Sequence, residues 1–412
     1  MIHYKNALSK LKQNKIKIKS EIVTVEKSLN RISSINVNSP NNYPAANNTA
    51  FDGFAINSKE TIKINNKNQK KFKIIKTLAA GDNPNIKKIS KFSTIEVMTG
   101  AIIKKPFDTV IPIEQIKFFP NSSKPKYIII NKKIKKNNFI RFSGSDFKKG
   151  ERVIKKGEII NPQHILAFKT LGVKKILVKK KPKIVFYTTG NEISNSSRIP
   201  NWKVRNSNSY YLKSFLENLP FNFIERKILR DSDLVKFKKE LKINLKSNKD
   251  IIITSGAVSA GKFDFVPKII KSFKLKYSFK GAYIRPGKPI MFAKFKNNKA
   301  FFGLPGNPIS SAACFRFFVL PFLFFSIGII ETKPINARIK NQLIKKKNFT
   351  RFVKGKLSFS IKGVAEFEIH KGQESFRIKP FTKSNAWGLL PRGKDKFKKG
   401  DFIECYAPTG IN

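Results

Sequence analysis

The first residues follow a helical period. Tyr4, Leu8 and Leu11 recur at three- and four-residue spacing among lysines, which predicts a helix with one buried face. Val25 to Ile32 predicts a second helical segment, and Asn36 to Asn48 reads as a polar, proline-containing link. From residue 49 to 140 the pattern shortens to apolar runs at Lys73-Ile74-Ile75, Thr94 to Met98, Thr109 to Ile113 and Tyr127 to Ile130. Turns such as Ala80-Gly81-Asp82-Asn83-Pro84 separate them, so this stretch predicts a small β domain. The pattern is mixed again from 141 to 180, where Pro162 to Leu171 reads as a helix closed by Gly172.

Residues 182–328 alternate between two kinds of segment. Lys183 to Thr188 and Asp250 to Thr254 are continuous β-rich runs, while Tyr210 to Leu219 and Phe265 to Phe273 read as helices. Such alternation predicts a parallel, doubly wound α/β sheet. Ile309 to Ile330 is apolar over a length that could span a bilayer, but Arg316 and Pro321 lie inside it, so a buried helix is expected and no membrane span. After residue 330 the pattern alternates with period two, most clearly at Lys356-Leu357-Ser358-Phe359-Ser360-Ile361, and predicts a C-terminal β barrel.

Composition narrows the picture. A chain of 412 residues exceeds one core and implies several domains. The net charge of +58 raises the reading of a nucleic-acid or membrane-surface binder. The lysines, however, are spread along the chain and no nucleic-acid motif accompanies them, so the charge reads as compositional drift, with no specific nucleic acid expected. Two cysteines, Cys314 and Cys405, give no disulfide framework, and His3, His164 and His370 lack zinc-type spacing. A secretory signal is not expected, because the N-terminus has no apolar stretch.

Candidate chemistry sits in loops after the strands of the α/β region: Thr188 to Glu192, Arg230 to Asp233, Ser255 to Asp264 and Gly303 to Ser310. In an open α/β sheet such loops converge on one crevice. Their glycines suit an anionic, nucleotide-like ligand, yet Glu192, Asp231 and Asp264 would repel one. A Mg²⁺ ion between the carboxylates and ligand phosphates resolves that conflict. Arg285 and Lys288, in the rigid loop Arg285-Pro286-Gly287-Lys288-Pro289, add fixed positive charge.

Seven segments in order carry a resemblance: Asn48 to Ala55, Met98 to Ala101, Gly144 to Gly150, Thr189 to Glu192, Ser255 to Asp264, Arg285 to Pro289 and Gly303 to Pro308. Over nearly its full length the chain resembles the MoeA/gephyrin family of molybdopterin molybdenumtransferases. The resemblance implies the last step of molybdenum cofactor synthesis: molybdate enters adenylylated molybdopterin, and the cofactor and AMP leave. It implies a cytoplasmic homodimer whose site is shared between the α/β domain of one subunit and the β domain of the other. An upstream molybdopterin adenylyltransferase and acceptor molybdoenzymes would be further partners. Tungstate in place of molybdate, or a non-catalytic pterin-binding scaffold, are the alternatives.

The organisation expected from pattern and resemblance together has four parts. Residues 1–40 with 141–180 form a mixed α+β linking domain, and 41–140 a separate small β domain. Residues 181–328 form the central doubly wound α/β molybdopterin-binding domain, and 329–412 the C-terminal β barrel. Asp52, Thr99, Asp146, Glu192, Asp231 and Asp264 fall on what look like the family's acidic and hydroxyl positions, with the last three as metal ligands. Gly190, Ser255, Gly256, Ser259, Gly261, Arg285, Gly287, Lys288, Pro305, Gly306, Asn307 and Ser375 are the expected substrate-binding residues. Departures from the family pattern are Ala257 for a glycine, Asn191 for an aspartate, and Arg285 where lysine is common.

Overall fold

The computed structural model describes residues 1–258, 265–329 and 333–407. A six-stranded sheet lies at its centre. Its strands run in the order Asn222–Glu225, Lys183–Thr188, Ile251–Ser255, Ala300–Leu304, Met291–Phe295 and Leu275–Lys280. Side chains alternate across the sheet, as strand geometry requires. Ile184, Phe186, Ile251 and Ile253 enter one core, with Leu212 and Leu216 of helix Asn208–Leu216 and the apolar helix after residue 307. Val185, Tyr187 and Ile252 enter the other, with Phe237 and Leu241 of helix Leu234–Lys246 and Ile269 and Ile270 of helix Val266–Lys271. Helices therefore cover both faces.

The sheet is parallel only through its first four strands. Met291–Phe295 is reversed, antiparallel to both Ala300–Leu304 and Leu275–Lys280. The reason is local. Only residues 296–299 separate Met291–Phe295 from Ala300–Leu304, with Asn298 at φ 65°, and a connection that short can only make a hairpin.

Pro308–Cys314 and Leu320–Ile327 are α-helical, with a π-helical turn at Phe315–Val319 between them. Pro321 has no N–H to donate to the preceding turn, and the wider π turn relieves that mismatch. The segment is long and apolar enough to cross a membrane, but 89% of its most apolar window is buried inside the fold. Arg316 is accommodated by the C-terminal region: its Nε donates to the Ala407 carbonyl at 2.8 Å and its guanidinium lies over the Tyr406 ring.

Helix Tyr4–Gln13 packs Tyr4, Ala7 and Leu11 into the same core as this apolar helix. The expected second helix is not formed. Val25–Lys27 makes a single 3-10 turn, Asn30 turns to φ 60°, and Ile32 bridges Ile159. Burying Val25 with Ile176 and Val178 of strand Lys175–Lys179, and Ile32 in the core beneath the central sheet, outweighs the helical spacing. Residues 53–130 contain a six-stranded sheet in the order Thr109–Pro112, Gly53–Ile56, Ser93–Val97, Lys70–Leu78, Tyr127–Ile130, Lys117–Phe119.

The C-terminal strands close into a barrel. Thr350–Phe359, Ala365–Ile369, Ile335–Ile339, Phe402–Tyr406 and Ala386–Leu390 pair in turn, and the last returns to the first. Ile284–Arg285, from the α/β region, adds a parallel edge to Thr350–Arg351. That pairing fixes the Arg285 loop against the barrel.

Candidate active site

Three strand-end loops meet because their strands are adjacent and in register. Thr188 lies opposite Ser255, and Ser255 opposite Leu304. Beyond those residues the Thr189 N–H and hydroxyl both donate to the Ser255 carbonyl, at 2.9 and 3.0 Å. The Gly256 N–H donates to Leu304 O at 2.9 Å, and the Gly190 N–H to Leu229 O at 3.0 Å. These bonds bring in the fourth loop, which carries Asp231. The result is a cavity of about 440 Å³ lined by Thr189, Gly190, Glu192, Asp231, Gly256 and Ala257 on one side and Pro305, Gly306 and Asn307 on the other.

Two glycines are required here. A Cβ on Gly190 (φ 136°) would lie 2.6 Å from both Glu192 carboxylate oxygens, so the glycine makes room for that side chain. A Cβ on Gly256 (φ 96°) would strike Thr189 Oγ1 at 2.6 Å. The next residue is Ala257, with φ 52°, a conformation that costs a residue bearing a Cβ about 1–2 kcal/mol.

Ser255 is buried and does not line the cavity. Its hydroxyl receives the Asn208 side-chain N–H at 2.6 Å, and the same Asn208 amide donates to Gly306 O at 2.9 Å. Asn208 therefore ties two walls of the cavity together. Sequence reasoning missed it, although the run Asn206-Ser207-Asn208 at a helix start is the available signal.

Asn191 keeps a structural role without a charge. Its Oδ1 accepts the Asp231 N–H at 3.1 Å. Arg230, which opens the candidate loop Arg230 to Asp233 but carried no expected role, donates from Nη1 to the carbonyls of Gly190 (3.1 Å), Asn191 (3.1 Å) and Ile193 (2.8 Å). Glu192 and Asp231 are thus carried by two loops fastened to each other. Ser259, Gly261 and Asp264 lie outside the described residues. Among the described residues no three His, Cys, Asp or Glu side chains gather as a metal centre. Two hard carboxylate ligands with room for a ligand's own oxygens nonetheless suit Mg²⁺, which commonly takes only one or two protein carboxylates.

A basic loop reaches the cavity through Pro289. Arg285 and Lys288 are exposed, and neither lines the cavity, whereas Pro289 does. Gly287 (φ 101°) is folded beneath them, where a Cβ would lie 2.3 Å from the buried Cys314 Sγ. Burial pushes that thiol up, out of its reactive range. Strand pairing sets Arg351 beside Arg285. Burial, then the Arg285 charge, lower the Arg351 pKa, while Glu374 opposes the shift. Among the described residues no carboxylate forms an ion pair with either guanidinium. Arg351 could be found only from the fold.

The barrel also contributes Ser375, whose hydroxyl accepts the Asn307 amide at 3.3 Å. Its loop is held by Lys354, which is buried and donates from Nζ to Gly372 O, Glu374 O and Arg377 O at 3.0, 3.2 and 3.0 Å. Burial draws the Lys354 pKa down to about 8, with Glu374 opposing.

The small β region supplies a separate corner. Asp52 Oδ1 accepts the Thr99 N–H at 2.6 Å and the Thr99 hydroxyl at 2.8 Å. Those two bonds hold its carboxyl below the usual aspartate range. Gly53 is no free turn: a Cβ there would meet Ile111 O at 2.1 Å, so glycine lets two strands approach. Neither Asp52 nor Thr99 lines the α/β cavity. Asp146 is exposed and bonded through its backbone N–H to Tyr43 O.

Comparison with known proteins matches three stretches of the chain. Residues 2–172 match the MoeA N-terminal region (domain I and II), 186–324 a probable molybdopterin binding domain, and 336–407 the MoeA C-terminal region (domain IV). A molybdopterin molybdenumtransferase of Staphylococcus aureus is 30% identical over 407 residues, covering 98% of this chain and 94% of that protein. One of Staphylococcus epidermidis is 28% identical over 409 residues, with the same coverage of 98% and 94%. The crystal structure of a molybdopterin biosynthesis MoeA protein from Pyrococcus horikosii superimposes with a TM-score of 0.85 at 25% identity, covering 100% of both chains.

Proposed function

The chain belongs to the MoeA family of molybdopterin molybdenumtransferases, and from that premise we propose that it inserts molybdenum from molybdate into adenylylated molybdopterin, releasing molybdenum cofactor and AMP. The observation that carries this reading is the junction of an acidic cavity and a basic loop. Glu192 and Asp231 line a glycine-edged cavity that Pro289 of the Arg285 loop also lines, and Arg285 pairs with Arg351 with no carboxylate in an ion pair with either among the described residues.

Pterin dithiolene, pyrophosphate and molybdate are all anionic, so the reaction must bring like charges together. The chain's contribution is to position them and offset that repulsion. Gly190, Gly256, Pro305, Gly306 and Asn307 form the surface on which the anionic substrate rests. Arg285, Lys288 and Arg351 hold the tetrahedral oxyanion, since guanidinium forks match such oxygens. Glu192, Asp231 and Asp264 are the residues that would hold Mg²⁺, which supplies charge neutralisation at the pyrophosphate when bound. Lys354 keeps the Ser375 loop against Asn307. No side chain need act as a covalent nucleophile.

The protein acts as a homodimer in the cytoplasm in this reading. Asp52, Thr99 and Asp146 complete the cavity of the partner subunit, which accounts for an ionised, anchored carboxylate that the chain's own cavity does not use. The family's scaffold role is the second reading, and the presence of Asp52, Glu192 and Asp231 argues against it. The test is AMP release by the purified protein from adenylylated molybdopterin with Mg²⁺, with and without molybdate. Molybdate-dependent release, with cofactor that activates an apo-molybdoenzyme, is the expected result. Tight pterin binding without AMP release would replace the enzyme with a carrier.

A further inference from the structure

The loops that carry Glu192 and Asp231 leave separate strands, and like charges on them repel. Something must hold the pair together before a ligand arrives. Asn191 Oδ1 to the Asp231 N–H is one tie, and the Gly190 N–H to Leu229 O is a second. The third is Arg230 Nη1, which reaches the carbonyls of Gly190, Asn191 and Ile193. Its own backbone is fixed in turn, because the Arg230 N–H donates to Asp233 Oδ2 at 2.9 Å and the Asp233 N–H to Arg230 O at 2.9 Å. A single nitrogen, Nη1, therefore enters from the Asp231 loop and reaches the residues on both sides of Glu192. Its charge is spent on no carboxylate, since among the described residues Arg230 forms no ion pair.

We propose that Arg230 is a positioning residue that locks the Glu192 and Asp231 loops into one rigid unit, setting turnover and metal demand rather than pterin affinity. The proposal rests on the reading above for what the acids do, but the lock itself belongs to the free protein. Nη1 sits on a planar, always-charged guanidinium whose orientation is restricted, whereas lysine ends in an ammonium on a flexible stem. The tie extends further, through the Val204 N–H to Glu192 O at 2.8 Å, into the segment that bears exposed Trp202.

The test compares wild type, R230K and R230M as full-length protein. In R230M, hydrogen exchange of the 190–194 segment and of Val204 should quicken by about tenfold without substrate, with melting of the whole fold little changed. Turnover at saturating substrate should fall by about 100-fold, the cost of misplacing a catalytic group by an ångström, while pterin affinity stays within about threefold. The Mg²⁺ concentration for half-maximal rate should rise, and R230K should recover part of both losses. Unchanged exchange in R230M overturns the lock. Equal loss of pterin binding and turnover overturns the positioning role and makes Arg230 a general support. If wild type releases no AMP, the functional reading fails while the exchange experiment still decides the lock.

Discussion

The α/β cavity and the Asp52–Thr99 corner are built on opposite principles. In the cavity, residues far apart in sequence are joined by main-chain bonds between neighbouring loops, with Asn208 and Arg230 as cross-links. The corner consists of one carboxylate held at one oxygen by one threonine, at the surface. The first can organise a ligand within one subunit. The second has a fixed charge and does not line that cavity, which is the arrangement the proposed shared site would require.

The sharpest way to break the comparison is complementation. D52N and E192Q should each lower turnover by about 100- to 1000-fold, as loss of a preorganised charged group does. Dimers mixed from the two variants would contain one site with neither lesion and should regain turnover, read as AMP release after co-refolding. Mixed dimers as inactive as their parents would place both acids in one subunit's site.

The basic loop can be broken through its support. G287A would press a methyl group into Cys314 Sγ and impose a strained φ, so a loss of roughly 2–4 kcal/mol is expected in denaturant unfolding. An unperturbed midpoint would mean that the Arg285 loop can move freely.

The corner can be sharpened by titration. The Thr99 bonds favour the charged form of Asp52, so its carboxylate should persist to a pH below the ordinary aspartate midpoint and be lost as pH falls through that lowered value. T99A removes the hydroxyl bond and should move the midpoint upward, seen by NMR of the Asp52 carboxyl. The smallest effect belongs to the cavity rim. A257G should relieve the positive φ and stabilise the protein by up to about 1 kcal/mol, with pterin binding unchanged or tighter. A destabilised A257G would mean that the Ala257 methyl packs more favourably than its backbone strain costs.

Some of this was legible in the sequence because it is encoded locally. The runs at Lys183–Thr188 and Ile251–Ser255, the helix Pro162–Leu171 with Gly172 behind it, and the alternating C-terminal strand all declare themselves through spacing. So do the glycine loops, and two of the acids they carry, Glu192 and Asp231, line the cavity those loops form. The helix expected at Val25–Ile32 failed because its spacing fits a helix but its burial is decided by strands about 150 residues away.

What the tertiary structure alone decided is the set of partners. Arg351 stands beside Arg285 because a barrel strand pairs with the edge Ile284–Arg285. Arg316 survives in an apolar helix because the C-terminal segment offers it a carbonyl and a ring. Asn208 gains its contacts from the register that sets Thr188, Ser255 and Leu304 side by side, and Arg230 from the bridge that sets Leu229 beside Thr189. Side-chain direction along a helix or strand is fixed by the few residues around it, so sequence period reveals the element. Which elements then touch depends on register and packing across the whole chain, and no local spacing carries that information.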